Sequence, residues 1–347
     1  MATLGQSGKV TLLDWAKSID PNGSVAAVAE LLTQTNEILY DMPWIEGNLP
    51  TGHRTTIRTG LPSAIWRQLY QGVPPSKSVR AQIEDAAGML ETRAEIDKDL
   101  AELNGNSSAF RLSEASSFVE GLNQTFAAQL IYGNSATNPE RFTGFAPRYS
   151  AISGATNAQN IVDGGGGASA VQTSVWLVCW GPDTVTGFFP KGSPAGIVHE
   201  DLGLIDAFDS NTPAGRYRAY ADRWQWKCGL TVRDWRYVVR VANVNTTDLL
   251  AGTGTQNAQQ LIKSMIKAMA RIPFMGKGRP VFYANRTVRE MLAIQALDKS
   301  QNALAIVPGA QQFGNISPGS AGNGTLTFFG VPIRTVDQIV NTEAQVV

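Results

Sequence analysis

The residues able to do chemistry in this chain are few, and their spacing limits what they can do. Cys179, Cys228, His53 and His199 are the only thiols and imidazoles. A zinc site draws its ligands in closely spaced pairs, and none of these four has such a neighbour. They read instead as two buried apolar thiols in a reducing cytoplasm, with no metal and no cofactor. His199-Glu200-Asp201 is the one local acid–base cluster. General catalysis also needs a placed nucleophile or substrate site. No Walker loop, G-x-S-x-G elbow or H-E-x-x-H helix accompanies it, so it reads as a polar loop and not as an enzyme's centre. Gly164 to Gly167 lacks the G-x-G-x-x-G spacing, and no helix pattern follows it. Between 216 and 242, aromatic and basic residues interleave as they do in single-strand nucleic-acid binders. Trp224, Trp226, Cys228 and Leu230 alternate with Arg223, Gln225 and Lys227. Trp235, Tyr237, Val239 and Val241 alternate with Arg236 and Arg240. The aromatic and basic sets fall on opposite faces, which is the pattern of a sheet with one buried face.

The elements around these residues are legible from their periods. With 347 residues the chain has room for about two domains. Its 29 basic and 29 acidic residues cancel, whereas a protein that grips nucleic acid usually carries a basic excess. A container need not grip its cargo. No apolar run approaches the ~18 residues of a membrane span, and Met1 to Val10 has no secretory pattern. Residues 11–40 read as helical, with Ser24 as an N-cap, until Pro43 ends the pattern. Residues 50–86 read as a long polar β-arm. Thr55, Ile57 and Thr59 form one extended stretch, Ala64, Trp66 and Gln68 a second, and Val79 to Ile83 a third. Such an arm is marginal alone in water and is expected to lie on something else. From 50 to 83 there are five basic residues (Arg54, Arg58, Arg67, Lys77, Arg80) and no acid. From 84 to 102 there are seven acids (Glu84, Asp85, Glu91, Glu95, Asp97, Asp99, Glu102) and two basic residues. The two stretches read either as complementary surfaces or as two ordinary solvated faces.

Residues 111–133 predict an amphipathic helix with Leu112, Ala115, Val119, Leu122, Phe126 and Leu130 on its buried stripe and Gly133 after its end. Residues 134–172 read mostly as loop, and Val175 to Trp180 as a strand buried on both faces. The last hundred residues read as α/β. A helix runs through Leu261, Ile262, Met265 and Met269, and Pro280 to Tyr283 is a strand. Asn285 or Thr287 caps a second helix, residues 309–324 are loop, and a hairpin turns at Gly330.

Five groups of strings resemble major capsid proteins of tailed bacteriophages, in a family of short-tailed and related phages. They are Thr11-Leu12-Leu13-Asp14-Trp15-Ala16 with Asn36-Glu37-Ile38-Leu39; Gly47 to Arg54 running on to Gly60-Leu61-Pro62 and Trp66-Arg67; Asp97 to Gly105; Trp180-Gly181-Pro182 with Phe189 to Ser193; and Trp224 to Leu230 with Arg233 to Arg236. The resemblance implies an α+β fold of the Hong Kong 97 capsid type. Its parts would be an N-terminal arm at 1–49, an E-loop at 50–83 and a peripheral domain with its spine helix at 84–134. A loop-rich segment with an axial-domain strand would follow at 135–210, long peripheral strands at 211–245 and the axial domain at 246–347. Because the long strands precede the axial-like unit, a permuted connectivity is expected. The resemblance implies self-assembly of pentamers and hexamers into an icosahedral shell around double-stranded DNA, in a virion assembled in the bacterial host cytoplasm. An encapsulin-like nanocompartment is the alternative. Arg54, Arg58, Trp66, Arg67, Lys77 and Arg80 would contact a neighbouring subunit, with the seven acids of 84–102 as a counter-surface. The implied partners are a portal protein, a separate scaffolding protein, a decoration or cement protein and packaged DNA bound without sequence specificity. No membrane is involved.

Overall fold

The computed structural model describes residues 34–103, 107–167, 171–208, 215–251, 258–297, 304–307 and 325–347. Most of the helix expected over 11–40, the Thr11 to Ala16 string and the loop at 309–324 lie outside them. The chain divides into two units. One gathers Met89–Phe126 and Pro194–Lys227, the other Thr35–Gly88, Ala127–Ser193 and Cys228–Val347.

The first unit is a helix against a small sheet. The helix Ser107–Tyr132 begins here. Phe110, Leu122 and Phe126 are its buried residues in this unit. The expected stripe was set partly wrong, because Leu112 and Val119 are 75% and 40% exposed. Phe118 takes the place of Val119 and stacks on Trp224 at 5.2 Å, and Phe126 packs on Trp226 at 4.3 Å. Those tryptophans sit on Arg216–Val232, whose alternation is as read, with Trp224, Trp226 and Cys228 buried. Ile197–Phe208 pairs antiparallel with that strand, from Ile197 opposite Trp226 to Phe208 opposite Arg216. His199, Glu200 and Asp201 therefore lie on a strand and not in the polar loop expected. Residues 197 to 201 are all exposed, so no burial alternation marked them. A register shift between Asp201 and Gly203, with Gly203 at φ 67°, bends this edge.

The second unit is built on Gln172–Trp180, which is buried at every position, as a strand covered on both faces must be. Val238–Asn245 and Arg279–Ala284 flank it antiparallel, and Ile161–Asp163 joins Val238–Asn245 in parallel. Arg279–Ala284 continues in parallel to Val331–Thr335, then antiparallel to Thr325–Phe328 and Leu304–Val307. Helices Ala258–Arg271 and Arg286–Leu297 cover the sheet, with Leu261, Met265, Val288 and Leu292 packed in one core with Val239, Val241, Phe282 and Phe328. Asn285 caps the second helix by accepting from the Val288 amide at 2.8 Å. The hairpin turn falls on Phe329 and Gly330, at φ 47° and 81°, the left-handed pair that a tight hairpin needs and that glycine adopts without strain.

One reading of the 216–242 region changes. The β structure is interrupted by the short 3-10 turn Trp235–Tyr237 between Arg216–Val232 and Val238–Asn245. Arg240 does not face solvent. It is 5% exposed, donates to Glu343 at 2.9 Å, Ser174 at 2.9 Å and the Tyr149 carbonyl at 2.8 Å, and lies over the Trp176 ring. Among the described residues, no strand after 232 pairs with Arg216–Val232.

Candidate inter-subunit surface

The arm is a two-stranded antiparallel hairpin of Gly52–Gly60 and Val79–Ala86, within the second unit. Threonines and Ile57 alternating with arginine give its first strand. The second strand is Val79–Ala86. Residues 64–69, expected to extend, form no strand. Instead the chain from 61 to 77 is exposed at every position. Its tip turns at Gln68 to Gln71, where the Gln71 amide bonds the Gln68 carbonyl at 3.2 Å. Leu69 and Tyr70 stand at the centre of that turn, 88% and 102% exposed, with Tyr70 at φ 67°. A bulky side chain in the left-handed region is costly.

The root of the hairpin is fixed by two arginines. His53 and Asp85 are cross-strand partners and both are buried. Arg148 donates to Asp85 at 2.7 Å, and Arg233 Nη2 donates to His53 Nε2 at 3.1 Å. Arginine can only donate, so His53 carries its proton on Nδ1 and is neutral. Burial, then the Arg233 charge, push the His53 pKa below its ordinary 6.5. The folded state therefore binds fewer protons than the unfolded chain. This contribution to stability is complete above pH 6.5 and is lost as pH falls below it. We expect the melting temperature to drop between pH 7.5 and 5.5 by more in the parent than in His53→Gln. Parallel curves for the two would refute the assignment.

Charges further out along the arm are arranged differently. Arg54 faces Glu84 and bonds it at 2.8 Å, with both half exposed. Arg58 faces Arg80 directly. Like charges in a cross-strand pair are destabilising. Among the described residues Arg58, Arg67, Lys77 and Arg80 form no ion pair, so four exposed cations remain without an acid. Trp66 is 100% exposed, which removes packing within its own subunit. Trp66→Ala should leave the subunit's stability within about 0.5 kcal/mol of the parent. A large fall in its thermal unfolding midpoint would contradict this exposure.

Six of the seven acids have a partner within their own subunit. Glu84 and Asp85 pair with Arg54 and Arg148. Glu91 accepts from Arg223 and Gln225, and the Arg223 hydrogen bonds hold its pKa down to about 2. Glu95 pairs with Arg93, Asp97 caps the short helix Lys98–Glu102 through the Asp99 amide, and Glu102 engages Lys98 and Tyr220. Asp99 alone has no side-chain partner among the described residues. The sequence could not show this, because most of these partners are remote in the chain. The reading also missed Leu61, Leu69, Tyr70 and Val73, all more than half exposed beside Trp66. The signal was there, as apolar residues in a Gly- and Pro-punctuated segment that no helix or strand period buries.

His199 Nε2 lies 3.0 Å from Asp222 and its ring stacks on Trp224, while Arg111 grips both Asp222 and Asp201. The acid is thus engaged by a guanidinium as well as by the imidazole. Among the described residues no group of three or more His, Cys, Asp or Glu is placed to hold a metal, and no helix is long and apolar enough to cross a membrane.

The arm thus leaves Arg58, Arg67, Lys77 and Arg80 without an acid among the described residues, and Trp66 and Tyr70 fully exposed. The family model for the Major capsid protein GP7 matches residues 20–347, and the chain belongs to that family. A near-atomic structure of bacteriophage epsilon15 is similar over 100% of this chain and 99% of its own, with 34% identity and a TM-score of 0.75. The mixed helix and sheet architecture is accordingly the Hong Kong 97-type phage capsid fold. The bacteriophage JBD30 capsid matches at 11% identity over 89% of this chain and 92% of its own, with a TM-score of 0.47. The encapsulin complex of Synechococcus elongatus matches at 11% over 64% and 92%, with a TM-score of 0.44. Neither is near enough to argue from. No curated protein matches the chain.

Proposed function

We propose that this capsid protein is the repeating, non-enzymatic subunit of an icosahedral virion shell, assembling as pentamers and hexamers around double-stranded DNA. The observation that carries the reading is the arm. Arg58, Arg67, Lys77, Arg80 and Trp66 are exposed in the isolated subunit, and a neighbouring copy supplies what they lack. A shell works by such contacts, each modest, repeated and closed by symmetry. The acids of 84–102 are weaker candidates for the opposing face than their count implied, since most are engaged within their own subunit.

In this reading 1–49 is the N-terminal arm, 50–83 the E-loop, and the helix Ser107–Tyr132 the spine. The order of the long strand before the Arg279–Ala284 sheet supports the permuted connectivity. The neutral charge suits DNA enclosed without sequence-specific binding. Assembly in the host cytoplasm on a separate scaffolding protein, with a portal and a decoration protein, completes the reading. Negative-stain electron microscopy of the purified chain, expressed alone and with a scaffolding protein, tests it. Closed shells, tubes or capsomer rings are expected. A small uniform oligomer under both conditions would overturn it.

A further inference from the structure

A concavity of about 330 Å³ opens beside the root of the arm, lined by Arg148, Arg233, Tyr149, Thr156, Val232 and Trp235 among others. Two arginines line it and no acid does. The acids nearest those arginines leave hydrogen-bonding capacity over. Arg148 spends one nitrogen, Nη2, on Asp85 and on the Thr143 and Leu230 carbonyls, which leaves Nη1 without a hydrogen bond among the described residues. Arg233 gives Nη2 to His53. Its remaining Nη1 is 3.7 Å from Asp183, beyond hydrogen-bond length, and that acid is 71% exposed. Neutral His53 adds no charge, and Asp85 balances only one of the two arginines.

We propose that this concavity is an oxyanion site, taking a phosphate or carboxylate group between Arg148 and Arg233. Planar forked donors suit both groups, and charge-assisted bonds to them are short and strong. The volume exceeds that of a bare ion and leaves room for the chain bearing it against Val232 and Trp235. The same two arginines hold His53 and Asp85, so an anion bound here touches the groups that anchor both strands of the arm. The inference concerns the single subunit and does not depend on shell assembly.

Titration calorimetry on the full-length, unassembled chain tests it, with inorganic phosphate and acetate as separate probes at low ionic strength. We expect saturable binding of at least one. Phosphate alone assigns the site to phosphate-bearing ligands, and comparable binding of acetate assigns it to carboxylates. Arg233→Gln should weaken binding about tenfold or more. Asp183→Asn removes an exposed competitor for Arg233 and should tighten binding by about two- to fivefold. It leaves the arm root intact, so a folding defect cannot mimic its effect. No saturable binding of either probe to the parent, or equal affinities in the parent and both variants, would overturn the proposal.

Discussion

Glu343→Ala should destabilise the subunit by about 3–5 kcal/mol, the cost of leaving a buried charge without its partner. Arg240 and Glu343 are 5% and 7% exposed and meet at 2.9 Å. Around them Tyr132 donates to the other Glu343 oxygen at 2.6 Å, and Ser174 bonds Glu343 and Arg240. Burial first, and then the Glu343 charge, raise the Tyr132 pKa, so the phenol remains a donor throughout the physiological range. The alanine variant strands the guanidinium between Ser174 and the Tyr149 carbonyl, without the acid that balanced its charge. Chemical denaturation of the unassembled subunit measures the loss as a lower midpoint. Glu343→Gln keeps a hydrogen-bonding oxygen and should lose less. Arg240→Met combined with Glu343→Leu should recover most of the loss, because apolar replacement of a buried pair is often neutral. A parental midpoint for Glu343→Ala would mean that Arg240 finds water or another acid.

Arg58→Glu combined with Arg67→Glu should abolish shell formation and leave the subunit folded. The two side chains are exposed and form no ion pair among the described residues, so their loss removes nothing from their own subunit. At position 58 the acid would even face Arg80 and relieve a like-charge pair. Across a neighbour the effect reverses. Two attractive positions become repulsive in every copy, and like-charge juxtaposition at an interface costs several kcal/mol. Size-exclusion chromatography and electron microscopy should show subunits or capsomers without closed particles, with the circular dichroism spectrum of the parent. Particles of normal size and yield would refute the arm's charge contacts while leaving membership of the capsid family intact.

Where one local pattern fixed the answer, the sequence was a good guide. Gln172–Trp180 announced itself as a fully covered strand, Asn285 as a cap and Gly330 as a turn, because each depends on residues a few positions apart. Trp224 and Trp226 alternated with charged neighbours and were buried as that alternation implies. It misled where a face had no burial to report. Ile197–Phe208 is exposed along most of its length, so a strand made by hydrogen bonds to Arg216–Val232 left no apolar period. It also misled where two helical faces offered comparable stripes. Phe118 and not Val119 meets Trp224, a choice made by the partner strand.

From the sequence alone come the capsid family, through strings spread over most of the chain, the arm's basic charge and the principal helices and strands. Each is a property of residue type and short-range order, which the chain carries before it folds. Only tertiary structure decided which charges are already satisfied. Arg240 read as a solvated base and is a buried partner of Glu343, 103 residues away. Six of the seven acids read as an open surface and are engaged with partners in their own subunit. Trp66 stood between burial and exposure and is exposed. Desolvation and ion pairing depend on what distant segments bring within a few ångströms, and no local pattern records that.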